Sequence, residues 1–247
     1  MVWGNFGACH IISLLIGAGI IVGLYFLLKN KTEKAQKLVL FVLSFAGIGA
    51  IIFNLVTWGS PLEYLPLHLC SLNALVLPIA VYTKNKVLNN LLLLWSIGAL
   101  FALVVNNAQA DFEILSWAFV FYYFPHVLEL GIPILMFLLK LVKKELKYVI
   151  TTLAITIVSY TIIHFINVVI NNYTINHNIV DYAGEVIKVN YMYSVYPENP
   201  LLDLFYKIIP HSYWYMYLCF VVIAVYLGLV YLNDIIKLVK SKRKGSN

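Results

Sequence analysis

Trp117-Ala118-Phe119-Val120-Phe121-Tyr122-Tyr123-Phe124-Pro125-His126-Val127-Leu128-Glu129, continued by Leu130-Gly131-Ile132-Pro133-Ile134-Leu135-Met136-Phe137-Leu138, decides the fold of this chain. With the two residues before Ser116, the apolar run covers 114–138. As a helix rising about 1.5 Å per residue it reaches about 37 Å, enough to cross a hydrocarbon layer of about 30 Å. Six further runs read the same way: 8–28, 38–57, 64–82, 87–105, 149–170 and 211–232. The composition agrees. Of 247 residues 62% are hydrophobic and only 11% charged, against about 45–50% and about 25% in a soluble domain. The expectation is an all-α polytopic membrane bundle of about seven transmembrane helices, one domain over 1–247, with a long loop at about 171–210 and a basic tail at 233–247.

Fifteen of the seventeen basic residues fall in four segments: Lys29 to Lys37, Lys84 and Lys86, Lys140 to Lys147, and Lys237 to Lys244. Only Lys188 and Lys207 fall in the alternate loops. The bias of lysine toward cytoplasmic loops sets the N-terminus outside and the C-terminus in the cytoplasm. It also accounts for the net charge of +6, so no nucleic-acid partner is expected. The basic tail reads as a topology anchor near anionic headgroups. A single arginine among abundant Lys, Ile and Asn points to an AT-rich coding genome, and so to a bacterial plasma membrane.

The polar residues inside the spans crowd toward the outer side. His10, His68, His164 and His211 lie near outer ends and His126 near mid-span, and none of the six histidines falls in a cytoplasmic loop. Ionisable side chains are costly in lipid and normally face the bundle interior or a wet cavity. Span three opens Pro61-Leu62-Glu63-Tyr64-Leu65-Pro66-Leu67-His68-Leu69-Cys70-Ser71-Leu72-Asn73. Pro66 can start or kink a helix, which would set Cys70 about one turn inside it, where unsatisfied N–H groups favour a thiolate. Asn73 is at i+3 on the same face. A lone membrane cysteine is ordinarily a packing residue, and Cys9 and Cys219 read that way; a Cys9–Cys70 disulfide is a further option. In span five His126 and Glu129 share a face at i, i+3, and Glu129 is the one carboxylate within a span. Measured from Trp117 and Tyr64 as interface markers, His126 lies about 13 Å deep and Cys70 about 9 Å. His164 has a similar depth, and spacing leaves open which histidine is the base.

Three motifs bear a family likeness: Leu65-Pro66-Leu67-His68-Leu69-Cys70-Ser71-Leu72, the pair Pro125-His126, and the loop Asn190-Tyr191-Met192-Tyr193 with Asn199-Pro200-Leu201-Leu202. Together they resemble the YwaF-like bacterial integral membrane proteins, a family similar to the eukaryotic transmembrane protein 164. The eukaryotic relative is regarded as a phospholipid acyltransferase with a catalytic cysteine and histidine. The resemblance implies Cys70 as nucleophile and His126 as base, acting on membrane phospholipids or lysophospholipids. Glu129 would orient His126, with Asn73 or Ser71 as oxyanion donors. His68, Asn73, His164, Asn190 and Tyr191 complete the candidate substrate site.

Two other classes compete. A transporter or receptor could be built as three plus one plus three spans, with Pro66/Pro78 and Pro125/Pro133 as helix breaks at a substrate site; the halves show no convincing repeat, and span seven carries no lysine for a retinal Schiff base. A scaffold would use the polar groups only to join helices. His68, His126, His164 and Glu129 could in principle converge on a metal, but no two histidines lie at i+3 or i+4, so neither metal nor cofactor is expected. The lysine split predicts that a cysteine introduced near Lys144 resists an impermeant thiol reagent in intact cells while one near Asn190 reacts. The reverse labelling would invert the topology.

Overall fold

The computed structural model describes residues 1–58, 60–105, 109–181 and 183–244, with side chains through 240. Ten helices follow in order: α1 (Ala8–Leu28), α2 (Glu33–Leu43), α3 (Ala46–Thr57), α4 (Leu69–Thr83), α5 (Lys86–Val104), α6 (Trp117–Leu138), α7 (Val149–Asn176), α8 (Pro200–Ile208), α9 (Cys219–Val230) and α10 (Leu232–Lys244). The chain is all-α, with no strand among the described residues.

Among the described residues, five segments are long and apolar enough to cross a membrane: α1, α2–α3 together, α5, α6, and 146–176, which contains α7. The pair 214–230 and 232–240, bent by 69°, makes a sixth if it is counted as one span. The expected third span differs. Residues 64–68 are not helical, because Pro66 cannot donate a backbone hydrogen bond and Leu67 N–H closes a tight turn onto the Leu65 carbonyl at 2.7 Å. Helix begins only at Leu69 and runs 15 residues, about 22 Å and short of a hydrocarbon layer on its own. Cys70 is therefore the second residue of α4, not one turn inside it, and its depth cannot be counted from Tyr64 along a helix. Span two breaks at Ser44-Phe45, where the Ser44 hydroxyl bonds the Phe41 carbonyl at 2.6 Å. The tail expected at 233–247 is helical as far as Lys244. Helix α7 runs on to Asn176, past the boundary expected at 170.

α5 and α6 form the centre. They are 56% and 61% buried over their apolar windows, against 17% for α1, for α2–α3 and for the α7 segment. Helix α6 packs against α5, α3, α1 and α4. The α1–α6 approach is close because Gly17 has no side chain; a Cβ there would sit 2.9 Å from Oη of Tyr123.

Ion pairs gather the lysine-rich segments at one end of the bundle. Lys84 pairs with Glu33, Lys86 with Glu145 at 3.2 Å, Lys147 with Glu145 at 2.7 Å and Lys144 with Asp234 at 3.4 Å. Lys147 and then Lys86 hold the Glu145 carboxyl below the ordinary range. Each exposed pair contributes little stability, but together they join three loops and the final helix. At the other end Trp3 plugs the bundle. Its ring is fully buried, meets His10, Phe119, Tyr122 and Tyr123 edge-on, and donates from Nε1 to Ser13 Oγ at 2.7 Å. His10 is spent on the same plug: Nε2 donates to the Leu103 carbonyl at 2.7 Å, and Nδ1 accepts from Phe6 N–H at 2.9 Å. Replacing Trp3 by Ala should cost about 3–5 kcal/mol, the usual range for emptying a buried aromatic site. Thermal unfolding in detergent reads this as a clear drop in Tm; an unchanged Tm would mean the plug carries no stability.

Candidate functional site

Between α3, the 64–68 lead-in, α4, the 109–118 segment and α6 lies a cavity of about 410 Å³. Its residues come from four stretches that sequence alone does not bring together. Gly47, Ala50 and Asn54 supply a face of α3, and Cys70, Ser71 and Ala74 the start of α4. Tyr122, His126 and Glu129 supply one face of α6. Phe53, Trp58, Tyr64, Phe112 and Phe121 add aromatic walls. Phe53 stacks on Phe121 at 4.4 Å and Trp58 on Tyr64 at 6.0 Å between ring centres. The cavity thus combines apolar walls with a thiol, a hydroxyl, an imidazole and a carboxyl.

The local reasons are specific. Cys70 and Ser71 occupy the first turn of α4, whose N-cap residue His68 makes no capping hydrogen bond. The first intrahelical bond is Leu72 N–H to the His68 carbonyl at 3.0 Å, so the N–H groups before it have no helical acceptor. In α6, Pro125 has no N–H to give to the preceding turn. His126 folds back on its own helix, with Nδ1 at 2.6 Å from the Tyr122 carbonyl and the ring 4.3 Å from the Tyr122 ring. A carbonyl only accepts, so Nδ1 carries the proton and the neutral ring keeps its lone pair on Nε2. Tyr122 is fixed in turn, its hydroxyl donating to the Ala102 carbonyl at 2.9 Å. The ring is therefore oriented by a main-chain carbonyl, where the sequence pointed to the Glu129 carboxylate.

Glu129 is buried, and Oε2 has no hydrogen-bond partner among the described residues. Its room comes from Gly47: a Cβ there would fall 2.8 Å from Oε1 of Glu129 and 2.5 Å from the Ala74 Cβ. Asn73 is fully buried, with both amide atoms unpartnered among the described residues, yet it is not among the cavity residues; Ser71 is.

Of the eight candidate residues, three, Cys70, His126 and Glu129, line the cavity. Of the others, His68, His164, Asn190 and Tyr191 serve the neighbouring loop, and Asn73 is buried away from both. Asn167 on α7 donates to the Tyr191 carbonyl at 2.8 Å and accepts from Tyr191 N–H at 3.0 Å. One turn on, Asn171 does the same for Val189 at 2.9 and 2.7 Å, and Thr174 donates to the Ile187 carbonyl at 2.7 Å. These side chains replace the ladder partners that an isolated extended strand lacks. Asn190 ties the next turn, donating to the Tyr196 carbonyl at 2.8 Å and to Glu198 at 2.7 Å, and accepting from Val195 N–H at 2.9 Å. Burial pushes the Glu198 carboxyl above its ordinary range, and the Asn190 bond opposes that. His164 meets Ser194 Oγ at 3.1 Å. His68 packs edge-on to Tyr191, whose hydroxyl bonds the Leu62 carbonyl. The loop thus braces the segment leading to Cys70. Cys9, Cys70 and Cys219 are all free thiols, so the optional Cys9–Cys70 disulfide is not formed; Cys9 Sγ lies 3.0 Å from Met1 Sδ. The reading of sequence passed over Tyr122 and Gly47. The proline at 125 was the available signal for the first; for the second there was none.

An all-helical membrane bundle with a polar cavity bounded by α3, α4 and α6 is the class that fold and site define. The chain belongs to the TMEM164 family, which it matches over residues 5–231. No curated protein and no solved structure matches it.

Proposed function

We propose that the protein is an acyl-transfer enzyme of membrane lipids, with Cys70 as nucleophile and His126 as its base. The observation that carries this reading is the commitment of His126 Nδ1 to the Tyr122 carbonyl, which leaves Nε2 as the basic nitrogen in the cavity that Cys70 lines. Geometry and roles, not fold, identify a nucleophile–base pair.

The steps balance without a cofactor. Cys70 gives its proton to His126 Nε2, and the sulfur attacks the carbonyl carbon of an acyl ester. The negative charge on the carbonyl oxygen is met by the N–H groups at the start of α4 and by the Ser71 hydroxyl. Collapse breaks the ester bond, the imidazolium protonates the departing alcohol, and an acyl thioester remains on Cys70. The second half reverses this: His126 takes a proton from the acceptor hydroxyl, the new ester forms, and the proton returns to the sulfur. With a lysophospholipid as acceptor the outcome is acyl exchange; with water it is hydrolysis. Glu129, one turn from His126, lines the same cavity and offers its buried carboxyl as a hydrogen-bonding group to substrate or water there. Within the family, the motifs at 65–72, 125–126 and 190–202 favour a YwaF-like bacterial member. The lysine distribution favours a plasma-membrane protein of seven crossings, counting α4 with its lead-in, and a cavity open toward the outer leaflet.

Purified protein with a fluorescent acyl-lipid donor tests this. Cys70→Ala should keep the fold and lose at least about 10³-fold in kcat/KM, and Cys70→Ser should be nearly as inactive. His126→Gln should lose about 10²–10⁴-fold. Glu129→Gln should fall less far, with KM little changed, and Cys9→Ala and Cys219→Ala should match the parent. Full activity in folded Cys70→Ala would leave the family membership standing and remove the mechanism.

A further inference from the structure

At the lysine-bearing end a second cleft, of about 290 Å³, is formed by Lys84, Lys86, Lys140, Leu141, Val142 and Lys143. It joins the α4–α5 turn to the segment after α6 and shares no residue with the cavity above. Its size is near the lower end of small-ligand sites, about 300 Å³.

The walls are fixed. Lys84 ends α4 in the left-handed region, with its N–H bonded to the Ala80 carbonyl at 2.9 Å, and its ammonium pairs with Glu33. Lys86 pairs with Glu145. Lys140 is also left-handed, at φ 59°, and after it the chain folds back so that Leu141 and Val142 N–H both reach the Met136 carbonyl, at 3.0 and 3.2 Å. That fold places Lys140 and Lys143 on the cleft, and neither has an acidic partner among the described residues. Four lysines thus border one cleft, and among the described residues two of them have carboxylate partners. The net positive charge there favours an anion. The remaining wall is apolar: Leu141 and Val142 are buried and belong to the main hydrophobic core.

We propose that this cleft binds the phosphate of an anionic phospholipid, with the unpaired Lys140 and Lys143 as its principal donors. Lysine supplies the point charges a phosphate needs. Basic pockets at the ends of transmembrane helices, at headgroup depth, are where such lipids are held. The apolar wall favours a lipid over free phosphate, since it offers nothing to an inorganic ion.

The test uses the full chain in zwitterionic detergent, with native mass spectrometry of bound short-chain phosphatidylglycerol. Parallel arms use short-chain phosphatidylcholine and inorganic phosphate. The parent should bind phosphatidylglycerol. The double variant Lys140→Gln/Lys143→Gln should weaken it at least about tenfold, while eluting as the parent does. Lys140→Arg/Lys143→Arg should retain binding. Lys31→Gln/Lys34→Gln removes equal charge from the same end but outside the cleft, and should change binding less than about twofold. Equal loss in that control would replace the site with diffuse surface charge. Equal binding of phosphatidylcholine would remove the phosphate's neighbouring charge as the determinant. Displacement of the lipid by an equal concentration of inorganic phosphate would make the ligand a free anion. Any of the three overturns the proposal.

Discussion

In hydrocarbon there is no water to complete a hydrogen bond, so every polar group on a spanning helix needs a partner built into the protein. Most of this architecture follows from meeting that demand. Trp3, His10 and Ser13 close a network with the Leu103 carbonyl. Asn89 bonds the Ala80 and Asn85 carbonyls, and Trp95 bonds Thr156. Asn167, Asn171 and Thr174 satisfy the extended chain that lies along α7. Against that background the exceptions stand out. Glu129 and Asn73, each one turn along its helix from His126 and Cys70, are buried with atoms that have no partner among the described residues. Each unmet buried polar atom costs about 1–3 kcal/mol, and Glu129 borders an open cavity, where a substrate or water can supply what the protein does not.

The same demand explains the chemistry of the two catalytic candidates. His126 satisfies a carbonyl of its own helix with Nδ1, and the consequence is a defined tautomer. Cys70 sits where a helix begins without a side-chain cap, and the consequence is a set of N–H donors beside the sulfur. Neither feature is an added device. The second follows from Pro66 before the start of α4, and the first from the helical spacing that sets the His126 ring over the Tyr122 carbonyl four residues back.

Much of this was legible in the sequence. The membrane class could be read from apolar run lengths, and the shared face of His126 and Glu129 from their i, i+3 spacing; Cys70 was drawn in by the family likeness of the motif at 65–72. The short α4 was not legible, because an apolar stretch such as 64–82 has the same hydropathy whether it is helix or an extended lead-in; only the turn at Pro66 separates them. The convergence of α3 on the cavity was invisible because Gly47 and Ala50 carry no chemistry and matter only by being small. His164 on α7 and Asn190 and Tyr191 in the loop after it are tied to partners in that loop or on α7, and in one sequence polar residues that brace a backbone look like those that touch a substrate. Separating them takes the hydrogen-bond partners of each amide.

The central claim is that Cys70 carries an acyl group during turnover, and intact-protein mass spectrometry tests it directly. Protein quenched in acid after brief exposure to an acyl-lipid donor should gain the mass of one acyl chain. Neutral hydroxylamine should remove that mass, as it does for a thioester, and peptide mapping should place it on Cys70. An unmodified Cys70 under conditions of measurable acyl transfer, or an adduct on another residue, would contradict the account.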